Sequence, residues 1–134
     1  MILRLTRHHL DLLREESQKT YPVEACAMLF GDLTSEGAVI RKVVVAPNKL
    51  LSSERFEIAP EMAVEATTKA EDEGLDFVGL FHSHPAPAIP STIDLKFMKL
   101  WGDAIWLILS STDDNFAAYR MRDSEPTEMT IIVK

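Results

Sequence analysis

Apolar and polar residues recur along this chain with two different periods, which predict helices and strands in turn. Apolar residues three and four positions apart predict an amphipathic helix over residues 6–20, capped by Thr6 and including Leu5 in its apolar stripe. A second helix is predicted over residues 59–74, because a proline stands in its first turn and a glycine at its end. Residues 91–101 open with a capping serine and predict a third helix.

Runs of β-branched and other apolar residues between these helices predict six strands. The predicted strands cover residues 24–31, 37–46, 75–84, 104–111, 115–121 and 128–133. In the predicted strand 75–84, alternation places Val78 and Leu80 on the same face as His82 and His84. A short strand is also predicted at residues 56–58, within the polar connection before the second helix. Helices interspersed among strands, some joined by hairpins, predict a mixed β-sheet with flanking helices, an α+β or α/β layered domain.

Composition narrows the class of protein. The chain has 134 residues, the usual size of one domain, so we expect residues 1–134 to form a single domain. Its net charge of −7 argues against a nucleic-acid-binding protein. Cys26 is the only cysteine, so no internal disulfide can form. The charged start resembles no signal peptide and no apolar run reaches membrane-spanning length, so we expect a cytoplasmic protein. The oligomeric state is not predictable.

Two histidines and an aspartate lie close together in the segment FHSHPAPAIPSTIDL, residues 81–95. Residues two apart on a strand point the same way, about 7 Å apart, so His82 and His84 can converge on one ion. Pro85 ends the strand, and two further prolines stiffen a loop that brings Asp94 back towards the histidines. Two imidazole nitrogens and one carboxylate oxygen form a three-ligand zinc set. It leaves a fourth position for water, as catalytic zinc sites do.

Each of these residues also has an ordinary structural interpretation. Paired histidines on a strand are often surface or packed residues, and Asp94 lies three residues after Ser91, as in a helix capping box. A capping box does not require two histidines at the end of the preceding strand. The joint pattern therefore favours a metal site, with Ser83 pointing to the opposite face in a structural role.

The segment HSHP…PSTID resembles the signature of the JAMM (MPN+) metalloproteases, in which His-x-His-Pro is followed by Ser-x-x-Asp. The upstream segment YPVEACAMLFG resembles the family's Pro-x-Glu-x-Cys-Gly-Leu-Leu-x-Gly element. The matching residues are Pro22, Glu24, Cys26, Leu29 and Gly31. The likeness runs from about residue 5 to residue 110. It implies a cytidine-deaminase-like JAMM/MPN domain.

The resemblance implies a Zn²⁺ ion held by His82, His84 and Asp94, with water in the fourth position. Zinc lowers the pKa of its bound water towards about 7, and a neighbouring carboxylate can take the proton and pass it to a leaving amine. The resemblance gives this general-base role to Glu24. It gives Ser91 a part in stabilising the oxyanion, besides capping the helix.

The family resemblance further implies hydrolysis of isopeptide or peptide bonds after the C-terminal tail of ubiquitin-like modifiers or sulfur-carrier proteins. In this compact chain, residues 48–58 are the expected wall of the substrate groove. One departure concerns the loop between His84 and Asp94, which has nine residues where the family typically has ten. The resemblance therefore does not predict the shape of this loop or of the groove rim that it forms.

Three alternatives stay open. Some relatives of this fold lack the metal ligands and serve as non-catalytic protein-binding scaffolds. Another possibility is a peptidase that acts on small amino-acid conjugates. The third is a cysteine nucleophile, Cys26, paired with a histidine; nothing around it resembles a cysteine-protease signature, and a lone buried thiol is common.

Overall fold

The computed structural model describes residues 1–134 and contains three helices and seven strands. In chain order they are β1 (Ile2–Leu5), α1 (Arg7–Thr20), β2 (Cys26–Thr34), β3 (Gly37–Ala46), α2 (Pro60–Asp72), β4 (Asp76–His84), α3 (Thr92–Leu100), β5 (Ile105–Ser110), β6 (Phe116–Arg122) and β7 (Glu125–Val133). All three predicted helices are present. None of them combines the length and apolarity needed to span a membrane.

The seven strands form one mixed sheet in the order β1-β3-β2-β4-β5-β6-β7. The sheet closes on itself because β1 pairs in parallel with both β3 and β7. β4 and β5 are also parallel, and the remaining pairs are antiparallel. The predicted mixed sheet with flanking helices is thus confirmed.

Apolar side chains pack on both sides of this sheet. On one side, Leu10 and Leu13 of α1 pack against a cluster that includes Phe81. On the other side, Ala70 of α2 and Met98 of α3 cover a second cluster. The two candidate histidines therefore lie at the end of β4, a strand that is packed on both faces.

The sequence analysis missed strand β1 and assigned Leu5 to the first helix. Leu5 instead lies on β1 with 2% of its surface exposed, and Leu3 is fully buried beside it. A four-residue strand is too short to show a period, and its partners β3 and β7 are distant in sequence. The short strand predicted at residues 56–58 is also wrong, because residues 47–59 have no regular secondary structure.

A β-bulge in β4 corrects the predicted alternation. The register of β2 against β4 shifts so that Val78 stands unpaired between Phe77 and Gly79. One extra residue reverses the side to which the preceding side chains point. Val78 therefore packs on the α1 side of the sheet, whereas Leu80 packs on the α2 and α3 side. Alternation from Leu80 onwards still places the two histidines on one face.

Candidate active site

His82, His84 and Asp94 meet where β4 ends and α3 begins. Nε2 of His82 lies 3.1 Å from Oδ2 of Asp94, and Nε2 of His84 lies 3.8 Å from the same oxygen. One ligand atom from each residue lies within 4.8 Å of the other two. All three side chains are buried. The structure therefore brings together the three residues that the sequence singled out as a ligand set.

Ser91 and Asp94 also form the capping box of α3. The Ser91 hydroxyl accepts a hydrogen bond from the Asp94 N–H at 3.0 Å, and the Ser91 N–H donates to Asp94 Oδ2 at 2.9 Å. The carboxylate of the candidate ligand Asp94 is therefore also the N3 partner in the capping box. Its position is fixed by the first turn of the helix as well as by the histidines.

The loop between His84 and Asp94 is one residue shorter than is typical of the family, but the candidate ligands still lie close together. Between β4 and α3 the chain is irregular, and Ala88 is buried within it. The Tyr119 hydroxyl donates to the Ala88 carbonyl at 3.0 Å, which ties the loop to β6. The loop is thus anchored to the sheet near its middle.

Buried polar atoms at the site lack hydrogen-bond partners within the protein. They include Nε2 of His84 and Oε1 of Glu24. Unsatisfied buried groups are rare and often mark the place of an ion or water. Together with two imidazoles and a carboxylate within reach of one another, they fit a zinc ion held by three protein ligands.

Burial sets the protonation of the groups around this centre. Burial and, to a lesser extent, the charge of Asp94 together raise the pKa of Glu24 to about 8. Burial and the neighbouring His82 lower the pKa of His84, which favours the neutral imidazole that a metal requires. Burial alone would raise the pKa of Asp94, but hydrogen bonds from His82 and Ser91 hold it below its usual value.

Aromatic side chains fix the ring of His82. The Phe56 ring stacks on it with centroids 4.9 Å apart and planes 22° apart, and Trp106 approaches edge-on at 6.0 Å. The sequence analysis placed Phe56 in the expected groove wall but did not predict its contact with His82. The available signal was a single aromatic residue in the otherwise polar stretch SSERFEI.

A cavity of about 460 Å³ opens beside Asp94, between residues 55–58 and helices α2 and α3. Most of its lining is apolar, including Phe56, Ile58, Phe97 and Trp106. Residues 55–58, the last part of the segment 48–58 that was expected to form the groove wall, line this cavity. The apolar walls suit an extended peptide or an apolar side chain.

Cys26 is not available as a nucleophile. Its side chain is fully buried, and Sγ–H donates to the Ala46 carbonyl at 3.4 Å. Burial and the nearby Glu24 and Glu16 raise the pKa of the thiol to about 12, so it stays protonated. The thiolate that cysteine catalysis needs is therefore absent at neutral pH.

The sequence of this chain is similar to those of known proteins. Residues 6–124 match the family model described as prokaryotic homologs of the JAB domain, and the chain belongs to that family. A protein named desampylase from Pyrococcus furiosus is 41% identical over 113 residues, covering 84% of this chain and 77% of the relative. Another desampylase, from Haloferax volcanii, is 30% identical over 126 residues, covering 90% and 86% respectively.

Solved structures show the same fold. A protein from Desulfitobacterium hafniense superposes with a TM-score of 0.88 at 24% identity, covering 98% of this chain and 92% of the other. One from Salinibacter ruber gives 0.74 at 28% identity, with 98% and 91% coverage. A JAB1/MPN domain protein from Archaeoglobus fulgidus gives 0.62 at 22% identity, with 97% coverage of each chain. The fold expected from the JAMM resemblance is confirmed.

Proposed function

We propose that this chain is a zinc-dependent isopeptidase that cleaves the bond after the C-terminal tail of a ubiquitin-like modifier or sulfur-carrier protein. The observation that carries this proposal is the meeting of His82, His84 and Asp94 close to a buried Glu24. The two relatives named desampylase support the same class of substrate, because that name denotes removal of a ubiquitin-like modifier.

His82, His84 and Asp94 would hold the metal. Zinc bound there would supply an activated water and polarise the carbonyl oxygen of the scissile bond. The protein holds the three ligand side chains in position before the ion binds. Asp94 is fixed by the helix cap, and His82 lies beneath the Phe56 ring. Little rearrangement is then needed on binding the ion.

Glu24 is the general base of the proposed reaction. Its Oε1 is buried and unpaired, so it can accept a proton during attack and later deliver it to the leaving amine. In the metal-free protein, the pKa of about 8 means that the carboxyl group is mostly protonated at neutral pH. Bringing positive zinc into the site would lower this pKa towards the range a base needs.

Ser91 can serve two roles at once. Its oxygen accepts the Asp94 N–H, and its hydroxyl hydrogen is a donor that can turn towards the Asp94 carboxylate or towards a substrate. We assign that hydrogen to the oxyanion that develops on the scissile carbonyl. Such donors typically contribute on the order of 10²-fold in rate.

The experiment that tests this function is incubation of the purified protein with fusions of ubiquitin-like modifiers and sulfur carriers. Release of the C-terminal partner, lost with a chelator and restored by zinc, is the expected result. Binding without cleavage by zinc-loaded protein would instead indicate a scaffold. Cleavage confined to small amino-acid conjugates would indicate the peptidase alternative.

A further inference from the structure

The irregular segment 47–59 is organised around one buried side chain, that of Asn48, which is 6% exposed. Its amide group makes five hydrogen bonds. Nδ2 donates to the carbonyls of Glu24 at 3.1 Å, Ser52 at 3.3 Å and Arg55 at 3.0 Å, and Oδ1 accepts the N–H groups of Leu50 at 3.0 Å and Glu57 at 3.2 Å. Both hydrogens and both lone pairs of this amide are therefore in use.

One of these bonds leaves the segment and reaches Glu24. The Glu24 N–H in turn donates to the Ser52 carbonyl at 2.8 Å. Glu24 precedes β2, so no strand neighbour holds its backbone. The next residue is held differently, because Ala25 bonds through both its N–H and its carbonyl to Ser83 of β4. The Asn48 segment thus makes both backbone hydrogen bonds of Glu24.

The same segment carries the aromatic ring that lies on the first histidine. Phe56 stands between Arg55 and Glu57, and the backbones of both bond to the Asn48 amide. The ring of Phe56 stacks on His82 at 4.9 Å. Asn48 therefore connects the buried carboxylate and one of the proposed ligands, which come from separate parts of the chain.

We propose that Asn48 is a positioning residue for the reaction, which sets the backbone of Glu24 and the ring of Phe56 relative to each other. The inference rests on the proposed function, in which Glu24 carries the proton. The Asn48 side chain makes its hydrogen bonds to backbone groups only, and none to the ligand atoms or to the Glu24 carboxylate. A displacement of about 1 Å at a reacting group can cost on the order of 10²-fold in rate, which is the size of effect expected.

The test compares Asn48→Ala with Asn115→Ala, the other asparagine, which lies exposed in the β5–β6 turn. We expect Asn48→Ala to keep about one zinc per chain and a KM within a few-fold of wild type, while kcat falls on the order of 10²-fold. Combined with Glu24→Gln, it should cause no further loss. A full additional loss in the double variant, or an unchanged kcat, would overturn the proposal. Asn115→Ala should match the wild type.

Hydrogen exchange on the wild-type protein gives a test that needs neither a variant nor a substrate. The Glu24 amide should exchange together with the amides of Leu50 and Glu57, and faster than those of β2. Exchange of Glu24 at the rate of β2 would show that the sheet positions it, and would contradict the proposal. If the wild type cleaves no fusion but this coupled exchange is seen, the proposed function fails while the link from Asn48 to Glu24 stands.

Discussion

Nε2 of His82 and Oδ2 of Asp94 lie 3.1 Å apart, although the two residues belong to different elements, β4 and α3. From this relationship we expect the purified protein to bind about one zinc ion per chain. His84→Ala should lose the metal without unfolding, because Nε2 of His84 makes no hydrogen bond inside the protein. The exposed His8 provides the control, as His8→Ala should keep its zinc. Elemental analysis after dialysis measures the difference, and zinc retained by His84→Ala would contradict the ligand assignment.

Glu24→Gln should separate metal binding from catalysis. The glutamine keeps the size of the side chain but cannot take a proton, so we expect full zinc content and a loss of kcat of at least about 10²-fold. Cleavage of a modifier fusion and metal content are measured on the same preparation. Glu15→Gln, on the exposed face of α1, should cleave at the wild-type rate. Activity of Glu24→Gln near the wild-type value would remove Glu24 from the mechanism.

The metal-free protein should lose stability as pH rises because of Glu24. Its pKa is raised from 4.5 to about 8 on folding, so between these values the folded state binds more protons than the unfolded state. The free energy of unfolding therefore falls with rising pH through this window. The lowered pKa of His84 acts in the opposite sense, which makes the comparison with Glu24→Gln essential.

That comparison is made by urea denaturation of both metal-free proteins at pH 5 and pH 8. The wild type should lose more stability between the two pH values than Glu24→Gln does. Equal changes in the two proteins would show that burial does not perturb this carboxyl group.

Ser91 and Thr6 cap two helices with the same reciprocal geometry, so they form a matched pair. Replacing either with alanine should cost about 1 kcal/mol in the free energy of unfolding. Only Ser91→Ala should also lower kcat, on the order of 10²-fold, because its hydroxyl lies beside the site. Equal effects of both variants on kcat would limit Ser91 to its capping role.

Cys26 should resist alkylation in the folded protein. The thiol is fully buried and its pKa is raised to about 12, so almost no thiolate forms near neutral pH. Mass spectrometry after treatment with iodoacetamide should find unmodified protein with intact activity, whereas a chelator should abolish activity. Inactivation by the alkylator in step with Cys26 labelling would revive the thiol mechanism.

Local sequence signals accounted for the three helices, most of the strands and the meeting of His82, His84 and Asp94. Those features depend on short spacings: alternation along a strand, a cap three residues from its partner, and a proline at a strand end. The missed features depend on contacts distant in sequence. Strand β1 is defined by its partners β3 and β7. Asn48 takes its role from reaching Glu24, 24 residues earlier.

The bulge at Val78 illustrates the same limit on a smaller scale. No residue within β4 indicates that one position should stand unpaired, since the shift arises in the pairing with β2. Alternation predicted the histidine face correctly only because both histidines lie beyond the bulge.

The double use of the Asp94 carboxylate has a consequence for how the site is assembled during folding. Its bond to the Ser91 N–H spans three residues and can form as soon as the first turn of α3 does. A local interaction thus holds the carboxylate, whereas the position of His82 depends on the pairing of β4 with β2. The centre is therefore assembled from one group that a helix turn holds locally and two that depend on contacts distant in sequence.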